Sequence, residues 1–201
     1  MNPINEHTHW NNFWNSRKHT ATWNVQHPDI HLVEFLKTHN STDSLELGCG
    51  TGVNARYISA FSNIDAIDIS EFAITEAKSQ STTVNYILDD FATVDINKKY
   101  DFIFDRGYYH GYLGCNLCDR LNIVEKISKL LTPNGYWLSI IGSDQNVTDD
   151  NVGPPQHSYD SVVNSINSYM RVESIKLSYI ENQNRLPSPA WVVISTTKNY
   201  D

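Results

Sequence analysis

The sequence predicts an α/β fold, with a doubly wound seven-stranded sheet that is mostly parallel and ends in an antiparallel hairpin. Three observations carry this prediction. Strand-like and helix-like segments alternate from residue 44 to residue 143, which is typical of a parallel sheet covered by helices on both faces. The glycine-rich stretch "LELGCGTG" stands at the first change from strand to helix. The last two strand-like segments have no helix between them, so they should pair antiparallel.

The elements follow in order along the chain. The first predicted helix contains Ile30, Val33 and Leu36 at helical spacing, behind Pro28 in a first-turn position. The first, second and fourth strands each lead into a helix, and Ser70 is the expected N-cap of the second of these helices. The five predicted strands of this part are SLELG, NIDAIDIS, TVNYILDDF, YDFIFDRG and GYWLSIIGS. A loop and helix in GPPQHSYDSVVNSINSYM then precede the expected hairpin of RVESIKLSYIEN and PAWVVISTTKN.

Length and charge limit the organisation and the partners. The 201 residues fit a single domain over 1–201, with an aromatic N-terminal segment in 1–26 and the core in 27–201. The formal net charge of −8 argues against a partner held mainly through phosphate charge, such as nucleic acid or an anionic membrane.

The cysteines and the terminus predict a compartment. No apolar stretch approaches the length of a membrane span, and the polar N-terminus lacks the apolar middle of a signal peptide. The cysteines, Cys49, Cys115 and Cys118, fit a reducing compartment without disulfides. We therefore expect a cytoplasmic protein.

Three glycines in five positions form the turn after the first strand. Gly48 and Gly50 fit the dinucleotide-binding fingerprint, but the next glycine is Gly52, and Val53 stands at the third fingerprint position. This spacing weakens the case for a bound pyrophosphate. The alternative is a tight turn without a ligand, although glycines permit a ligand to approach the backbone closely.

Asp68 lies 20 residues after Gly48, at the end of the second predicted strand. A carboxylate at that place can accept hydrogen bonds from both hydroxyls of a ribose. The alternative is a surface side chain that caps the following helix. The glycines upstream favour ribose binding.

Glu46-Leu-Gly-Cys-Gly-Thr-Gly52, followed by "AIDIS" and the acids Asp89 and Asp90, resembles the class I S-adenosylmethionine-dependent methyltransferases. The resemblance covers about residues 44–107 and implies a Rossmann-like sheet with S-adenosyl-L-methionine as cofactor. It implies that Glu46 supports the cofactor's amino group and that Asp68 binds the ribose. Either Asp89 or Asp90 would bind adenine. The other cofactor-binding residues it implies are Gly48, Cys49, Gly50, Gly52, Ile69 and Phe91.

A phosphate-free ligand agrees with this chain. The cofactor is a zwitterionic sulfonium, so it needs acids and carbonyl groups more than arginines or helix N-termini. The glycine loop contains no basic residue.

Two further segments resemble the thiopurine-, thiol- and tellurite-type branch of small-molecule methyltransferases. They are WNNFWNSRKHTATWNVQHPDIHLVEFL and FDRGYYHGY. The resemblance implies an N-terminal lid, in which Trp14 and Trp23 face the sulfonium through their π-faces. The alternative is an apolar anchor; no periodic helix is expected with these tryptophans. Asp105 is expected at the floor of the cofactor site or in a structural pair with Arg106.

The residues after the fourth strand are expected beside the transferred methyl group. His110 is a candidate to accept a proton from the incoming nucleophile, with Tyr109 as a second candidate. The alternative for His110 is a hydrogen-bonded wall residue. His110, Cys115 and Cys118 form only a weak metal pattern because no second cysteine pair follows, so no metal is predicted.

The predicted function is methyl transfer to an S, N or O atom of a small molecule by in-line displacement, which depends mainly on positioning. No Asn/Asp-Pro-Pro-Tyr/Phe motif follows the fourth strand, and this argues against methylation of nucleic-acid bases. The alternatives are a nicotinamide-dependent oxidoreductase and a non-catalytic S-adenosylmethionine-binding protein.

Overall fold

The computed structural model describes residues 6–17, 22–113, 117–145 and 155–198. Its strands are β1 (Asp43–Leu47), β2 (Asn63–Asp68), β3 (Asn85–Leu88), β4 (Tyr100–Arg106), β5 (Leu131–Gly142), β6 (Met170–Ile180) and β7 (Ser188–Thr197). Its helices are α1 (Glu6–Arg17), α2 (Ile30–Leu36), α3 (Val53–Ile58), α4 (Glu71–Gln80), α5 (Tyr109–Leu113), α6 (Leu117–Leu130) and α7 (Tyr159–Ile166).

The strands form one seven-stranded sheet in the order β3-β2-β1-β4-β5-β7-β6. Strands β1 to β5 pair in parallel, whereas β7 lies antiparallel between β5 and β6. The predicted α/β class, mostly parallel sheet and antiparallel C-terminal hairpin are therefore confirmed. The strand order reverses between β1 and β4, and ligands of open α/β sheets bind at the carboxyl ends of the strands beside such a reversal.

Helices cover both faces of the sheet. One apolar core lies between the sheet and α5, α6 and α7, and the other lies between the sheet and α2, α3 and α4. Leu45 and Leu47 point into the first core, while Glu46 between them points to the opposite face. The alternation of β1 therefore presents one acid beside the helix that follows the glycine loop.

The N-terminal segment and α2 differ from the expectation. Trp10, Phe13 and Trp14 lie on α1, so the expectation of no helix there is wrong. The N-cap of α2 is Asp29, whose Oδ1 accepts a hydrogen bond from the backbone N–H two residues on at 2.9 Å. Pro28 precedes that cap instead of lying in the first turn, because a carboxylate satisfies the free N–H groups of a helix start.

The expected cap of α4 is confirmed. The hydroxyl of Ser70 accepts a hydrogen bond from the N–H of Ala73 at 3.3 Å. This cap begins the helix directly after β2 and so fixes the direction of the chain beyond Asp68.

Among the described residues, no helix is both long enough and apolar enough to cross a membrane.

Candidate active site

A cavity of about 450 Å³ opens at the carboxyl ends of the strands, above the reversal between β1 and β4. This volume lies within the range of ligand pockets for small molecules and cofactors. The predicted site residues that line it are Trp14, Trp23, Glu46, Gly48, Cys49, Gly50, Asp68, Ile69, Asp89, Asp90, Phe91 and His110. Gly52, Asp105 and Tyr109 do not line it.

The glycine loop forms the floor of the cavity in a left-handed backbone conformation. Gly48 and Gly50 have φ angles of +63° and +52°, which residues with a Cβ adopt only with strain. A Cβ on Gly48 would lie 3.1 Å from the ring of Tyr108, and one on Gly50 would lie 3.0 Å from the indole of Trp14. The bare backbone thus accommodates the protein's own aromatic rings as well as any ligand.

The buried carboxyl of Glu46 has an unmet hydrogen-bonding capacity. The residue is 2% exposed, and its Oε2 has no hydrogen-bond partner among the described residues. Burial raises its pKa from 4.5 to about 8, against the opposing effect of a hydrogen bond with the Asn54 side chain. A cationic partner would stabilise a buried carboxylate that has an unpartnered oxygen.

Asn54 in the first turn of α3 is a residue that sequence reasoning missed. Its Oδ1 accepts a hydrogen bond from the N–H of Asp29 at 2.9 Å, so its amide nitrogen is directed to Glu46. A polar side chain just after the glycine loop is the feature of the sequence that could have indicated Asn54 as a site residue.

Asp68 organises the loop from the end of β2. Its Oδ2 accepts a hydrogen bond from the N–H of Gly50 at 2.8 Å, and its Oδ1 accepts one from the N–H of Ser70 at 2.9 Å. Burial raises the pKa of Asp68, while these bonds oppose the rise. The two carboxylate oxygens together offer about four lone-pair sites, so Asp68 retains capacity to accept from a ribose hydroxyl.

Two acids and an aromatic ring form the wall after β3. Asp89 accepts a hydrogen bond from the N–H of Asp90 at 2.8 Å, and Asp90 accepts one from the N–H of Ala92 at 2.8 Å. Phe91 is buried and meets the ring of Tyr108 edge to face at 5.9 Å between centroids. Both acids line the cavity, so either one remains a candidate for the adenine amino group.

The N-terminal aromatic residues cover the loop. Trp14 is buried against Gly50, and Phe13 stacks on Trp23 with 5.0 Å between ring centroids. Asn11 accepts a hydrogen bond from the N–H of Phe72 at 2.9 Å, which ties α1 to the start of α4. Trp23 is 41% exposed at the mouth of the cavity. We call residues 6–17 and 22–25 together the aromatic cover.

Arg106 at the end of β4 ties three segments together. Its Nε donates to Asp29 at 2.9 Å, and its two terminal nitrogens donate to the carbonyls of Trp23 at 3.0 Å and Glu181 at 2.7 Å. Its side chain is 9% exposed and that of Asp29 is 2% exposed, so this ion pair is buried. Arg106 therefore fixes the aromatic cover to the end of β6.

Asp105 is a structural residue in this fold. It is fully buried and accepts hydrogen bonds from the N–H of Tyr109 at 3.0 Å and the indole N–H of Trp137 at 2.9 Å. Burial raises its pKa to about 6. The expectation that it contacts the cofactor is therefore corrected, because its side chain points into the core beneath α5.

Tyr109 is likewise turned away from the cavity. It is fully buried, its hydroxyl lies 2.6 Å from that of Ser165, and its ring packs edge to face on Trp137. Its neighbour Tyr108 lines the cavity instead and donates a hydrogen bond to the hydroxyl of Tyr112 at 3.2 Å. The expected proton-accepting role of Tyr109 is corrected on this geometry.

His110 lines the cavity with a fixed ring orientation. Its Nδ1 accepts a hydrogen bond from the N–H of Gly142 at 3.4 Å, and its carbonyl lies 2.8 Å from Nε2 of His157. Burial lowers its pKa to about 3, with smaller contributions from His157 and Arg106. A neutral ring with an occupied Nδ1 is poorly suited to accept a proton, so the geometry opposes the expected role of general base.

Within the described residues, no group of three or more His, Cys, Asp or Glu side chains is placed to hold a metal ion. Cys115, Gly153 and Pro154 lie outside the described residues, and of the side chain of Cys118 nothing is described.

One protein-family model matches the central part of the chain. Residues 45–135 match the model of a family described as a methyltransferase domain. This segment of the chain is similar to a methyltransferase domain. The predicted fold class is confirmed, and the predicted resemblance to methyltransferases, with the cofactor that it implies, agrees with this match. The roles of single residues stay predictions.

One curated relative is malonyl-[acyl-carrier protein] O-methyltransferase 2 of Ilyobacter polytropus. It is 31% identical over 107 residues, which are 50% of this chain and 39% of that protein. The chain thus spans about two fifths of the relative's length.

Solved structures of similar fold cover nearly the whole chain. One comes from work on the conversion of a disulfide bond into a thioacetal group during echinomycin biosynthesis, with a TM-score of 0.82, 17% identity and coverage of 96% of this chain and 94% of that one. Another is TehB from Haemophilus influenzae, with a TM-score of 0.67, 16% identity and coverage of 92% and 66%.

Proposed function

We propose that this protein transfers the methyl group of S-adenosyl-L-methionine to a nucleophilic S, N or O atom of a small molecule by in-line displacement. The observation that carries the proposal is Glu46, a buried carboxyl with an unpartnered oxygen that faces a cavity at the strand reversal. A cationic amino group at that oxygen would meet its unmet capacity and relieve the cost of its burial.

The other cavity residues fit the remaining parts of the cofactor. Asp68 has lone pairs for the ribose hydroxyls, and Asp89 or Asp90 offers an acceptor for the adenine amino group. Phe91 provides an aromatic wall for the base, and the bare backbone of Gly48 and Gly50 lines the cavity floor. When bound, the cofactor supplies a methyl group on a positively charged sulfur.

The chain's own contribution is orientation and exclusion of water. Trp14 and Trp23 line the cavity, and aromatic faces stabilise a nearby cation. Arg106 holds the aromatic cover in place through the carbonyl of Trp23. Holding the acceptor about 3 Å from the methyl carbon then supplies most of the rate enhancement.

We propose that residues 1–201 form one methyltransferase domain, in which residues 1–26 act as the lid. The acceptor is a small molecule of the kind used by the thiopurine-, thiol- and tellurite-type branch, and TehB is a structural neighbour that supports this choice. The net charge of −8 disfavours nucleic acid as substrate. The free, buried Cys49 is consistent with work in the reducing cytoplasm.

Calorimetric titration with S-adenosylhomocysteine and with NAD tests the proposal. We expect S-adenosylhomocysteine to bind, and Glu46→Gln to raise its Kd by about 10- to 100-fold through loss of a charge-assisted hydrogen bond. Glu34→Gln on the exposed face of α2 is the matched control and should leave the Kd unchanged. Binding of NAD alone would favour an oxidoreductase and overturn the proposal.

Methyl transfer is tested separately. The release of S-adenosylhomocysteine is followed with a panel of thiols, amines, phenols and carboxylates. Turnover with one or more members is expected, whereas cofactor binding without turnover on the whole panel would support a non-catalytic binding protein.

A further inference from the structure

The two ends of the cavity carry opposite hydrogen-bonding character. The end above β1, β2 and β3 is lined by acids: Glu46, Asp68, Asp89 and Asp90. The end above β4 and β6 is lined by Arg106, His110 and Arg185, together with Tyr112 and Asn182. Since the acids suit the cationic cofactor, the second end is the one left for the methyl acceptor.

His110 presents a hydrogen-bond donor to this acceptor end. A backbone N–H can only donate, so the bond from Gly142 to Nδ1 requires a lone pair on Nδ1. The neutral ring then carries its hydrogen on Nε2. Nε2 has no hydrogen-bond partner within the described ranges, and it lies against the backbone of Gly107 beside the cavity. The groups that act on the charge of this ring are Arg106 and His157, and both disfavour a positive imidazolium.

Arg185 presents the second donor. It stands in the turn between β6 and β7, directly after Asn184, whose φ of 55° turns the chain there. Of the two arginines lining the cavity in the described part of the chain, Arg106 is occupied by Asp29 and two carbonyls. Arg185 makes no hydrogen bond or ion pair with any described residue. Its guanidinium is therefore available to an anion.

We propose, on the basis of the proposed methyl transfer, that the acceptor is an anion, with its negative charge on or beside the nucleophilic atom, and that Arg185 and Nε2–H of His110 bind it. Donors at this end stabilise a charge that the acceptor brings with it. They do not remove a proton from a neutral amine or hydroxyl.

The balance of the step agrees with this assignment. The acceptor's lone pair forms the bond to the methyl carbon while the carbon–sulfur bond breaks and leaves its electron pair on sulfur. One negative and one positive charge are neutralised together, and no proton is transferred. A base is thus not needed in the step.

Two pairs of probes distinguish the anionic sources from their neutral counterparts. The protein is saturated with S-adenosylhomocysteine, and binding of 4-nitrothiophenolate is compared with 4-nitroaniline, and that of benzoate with benzamide. We expect at least one anion to bind about tenfold or more tightly than its neutral counterpart. Arg185→Gln should remove most of this preference, whereas the control Arg171→Gln, which alters an exposed β6 arginine paired with Glu173, should retain it.

His110 is tested by two substitutions with different chemistry. His110→Gln keeps an N–H donor and should preserve much of the anion preference, while His110→Leu should lose it. With thiols of graded acidity as methyl acceptors, the inflection of kcat/KM against pH should follow the pKa of each thiol, in the variants as in the parent protein.

Preferential binding of the neutral probes, or one inflection common to all thiols and lost in His110→Gln, would overturn the inference and restore a general base. These failures differ from that of the proposed function, in which S-adenosylhomocysteine itself does not bind.

Discussion

Glu46→Gln should make the cofactor-free protein more stable, and increasingly so as the pH rises. The carboxyl of Glu46 is 2% exposed, and burial raises its pKa from 4.5 to about 8. A carboxyl whose pKa is higher in the folded than in the unfolded protein does not lower the free energy of unfolding below its unfolded pKa. The free energy of unfolding then falls as the pH rises from the unfolded pKa to the folded pKa. The sensitive window for Glu46 is therefore pH 4.5 to about 8.

The size of the effect follows from the width of this window. Each pH unit within it costs the folded protein about 1.4 kcal/mol, so Glu46 costs about 3 kcal/mol at pH 7 and about 5 kcal/mol at pH 9. Glutamine has nearly the same shape and does not ionise. It carries a constant cost for its own buried amide, so the pH dependence of the difference is more informative than its value at one pH.

The assay is urea unfolding of the parent protein, Glu46→Gln and the control Glu34→Gln at pH 5, 7 and 9 without ligand. We expect the free energy of unfolding of Glu46→Gln, relative to the parent, to increase by several kcal/mol from pH 5 to pH 9. The control should show no such trend. A difference between Glu46→Gln and the parent that is the same at pH 5 and pH 9 would refute the reasoning.

Three further predictions concern the loop and its cover. Asp68→Ala should lower the free energy of unfolding, measured in urea, by about 2–4 kcal/mol, because the carboxylate binds the N–H of Gly50. It should also raise the Kd for S-adenosylhomocysteine, measured by calorimetry, at least about tenfold, because the carboxylate binds the proposed ribose. An unchanged Kd would remove the ribose assignment. Arg106→Lys should lower the free energy of unfolding by about 2–4 kcal/mol, because the buried partner Asp29 loses its fork of donors. Trp23 emission should shift to longer wavelength as the aromatic cover loosens. Unchanged emission would argue that Arg106 does not hold the aromatic cover. Gly50→Ala should destabilise the fold by about 1–3 kcal/mol because of the positive φ and the indole above it, whereas a neutral thermal shift would contradict the close contact.

Much of the frame is local and therefore predictable. Alternating apolar residues predict β1, the glycines predict the turn after it, and Ser70 predicts the start of α4. Glu46 and Asp68 follow from the same local motifs, because a residue at the end of a parallel strand has only one edge of the sheet at which to lie.

The sequence contains a signal for helix α1, which the sequence analysis missed. Trp10, Phe13 and Trp14 stand at positions i, i+3 and i+4, which is the spacing of one helical face. No helix is expected there from the sequence, but it is the helix that brings Trp14 onto Gly50.

The errors at Tyr109 and Asp105 have a different cause. Tyr108 and Tyr109 are consecutive residues at the start of a short helix, so one faces the cavity and the other the core. The choice depends on Trp137 and Ser165, which are distant in sequence. Asp105 is fixed by the same tryptophan, and no local pattern reports such a partner.

The roles of Arg106 and His110 also depend on distant contacts. The sequence places Arg106 at the end of a strand, but its partners Asp29, Trp23 and Glu181 come from three separate segments. The residue type predicts a base at His110, but its Nδ1 accepts a hydrogen bond from the backbone N–H of Gly142. A residue type indicates a possible chemistry, and the hydrogen bonds decide which one is available.

We infer that the unpartnered oxygen of Glu46 receives the amino group of the cofactor, and proton release on binding tests this contact most directly. S-adenosylhomocysteine is titrated into the protein at pH 7 in buffers of different ionisation enthalpy. Because Glu46 is largely protonated in the free protein, with a pKa of about 8, a cation beside it should release about one proton. Glu46→Gln should release none. Binding by the parent protein without proton release, or no binding at all, would contradict the account.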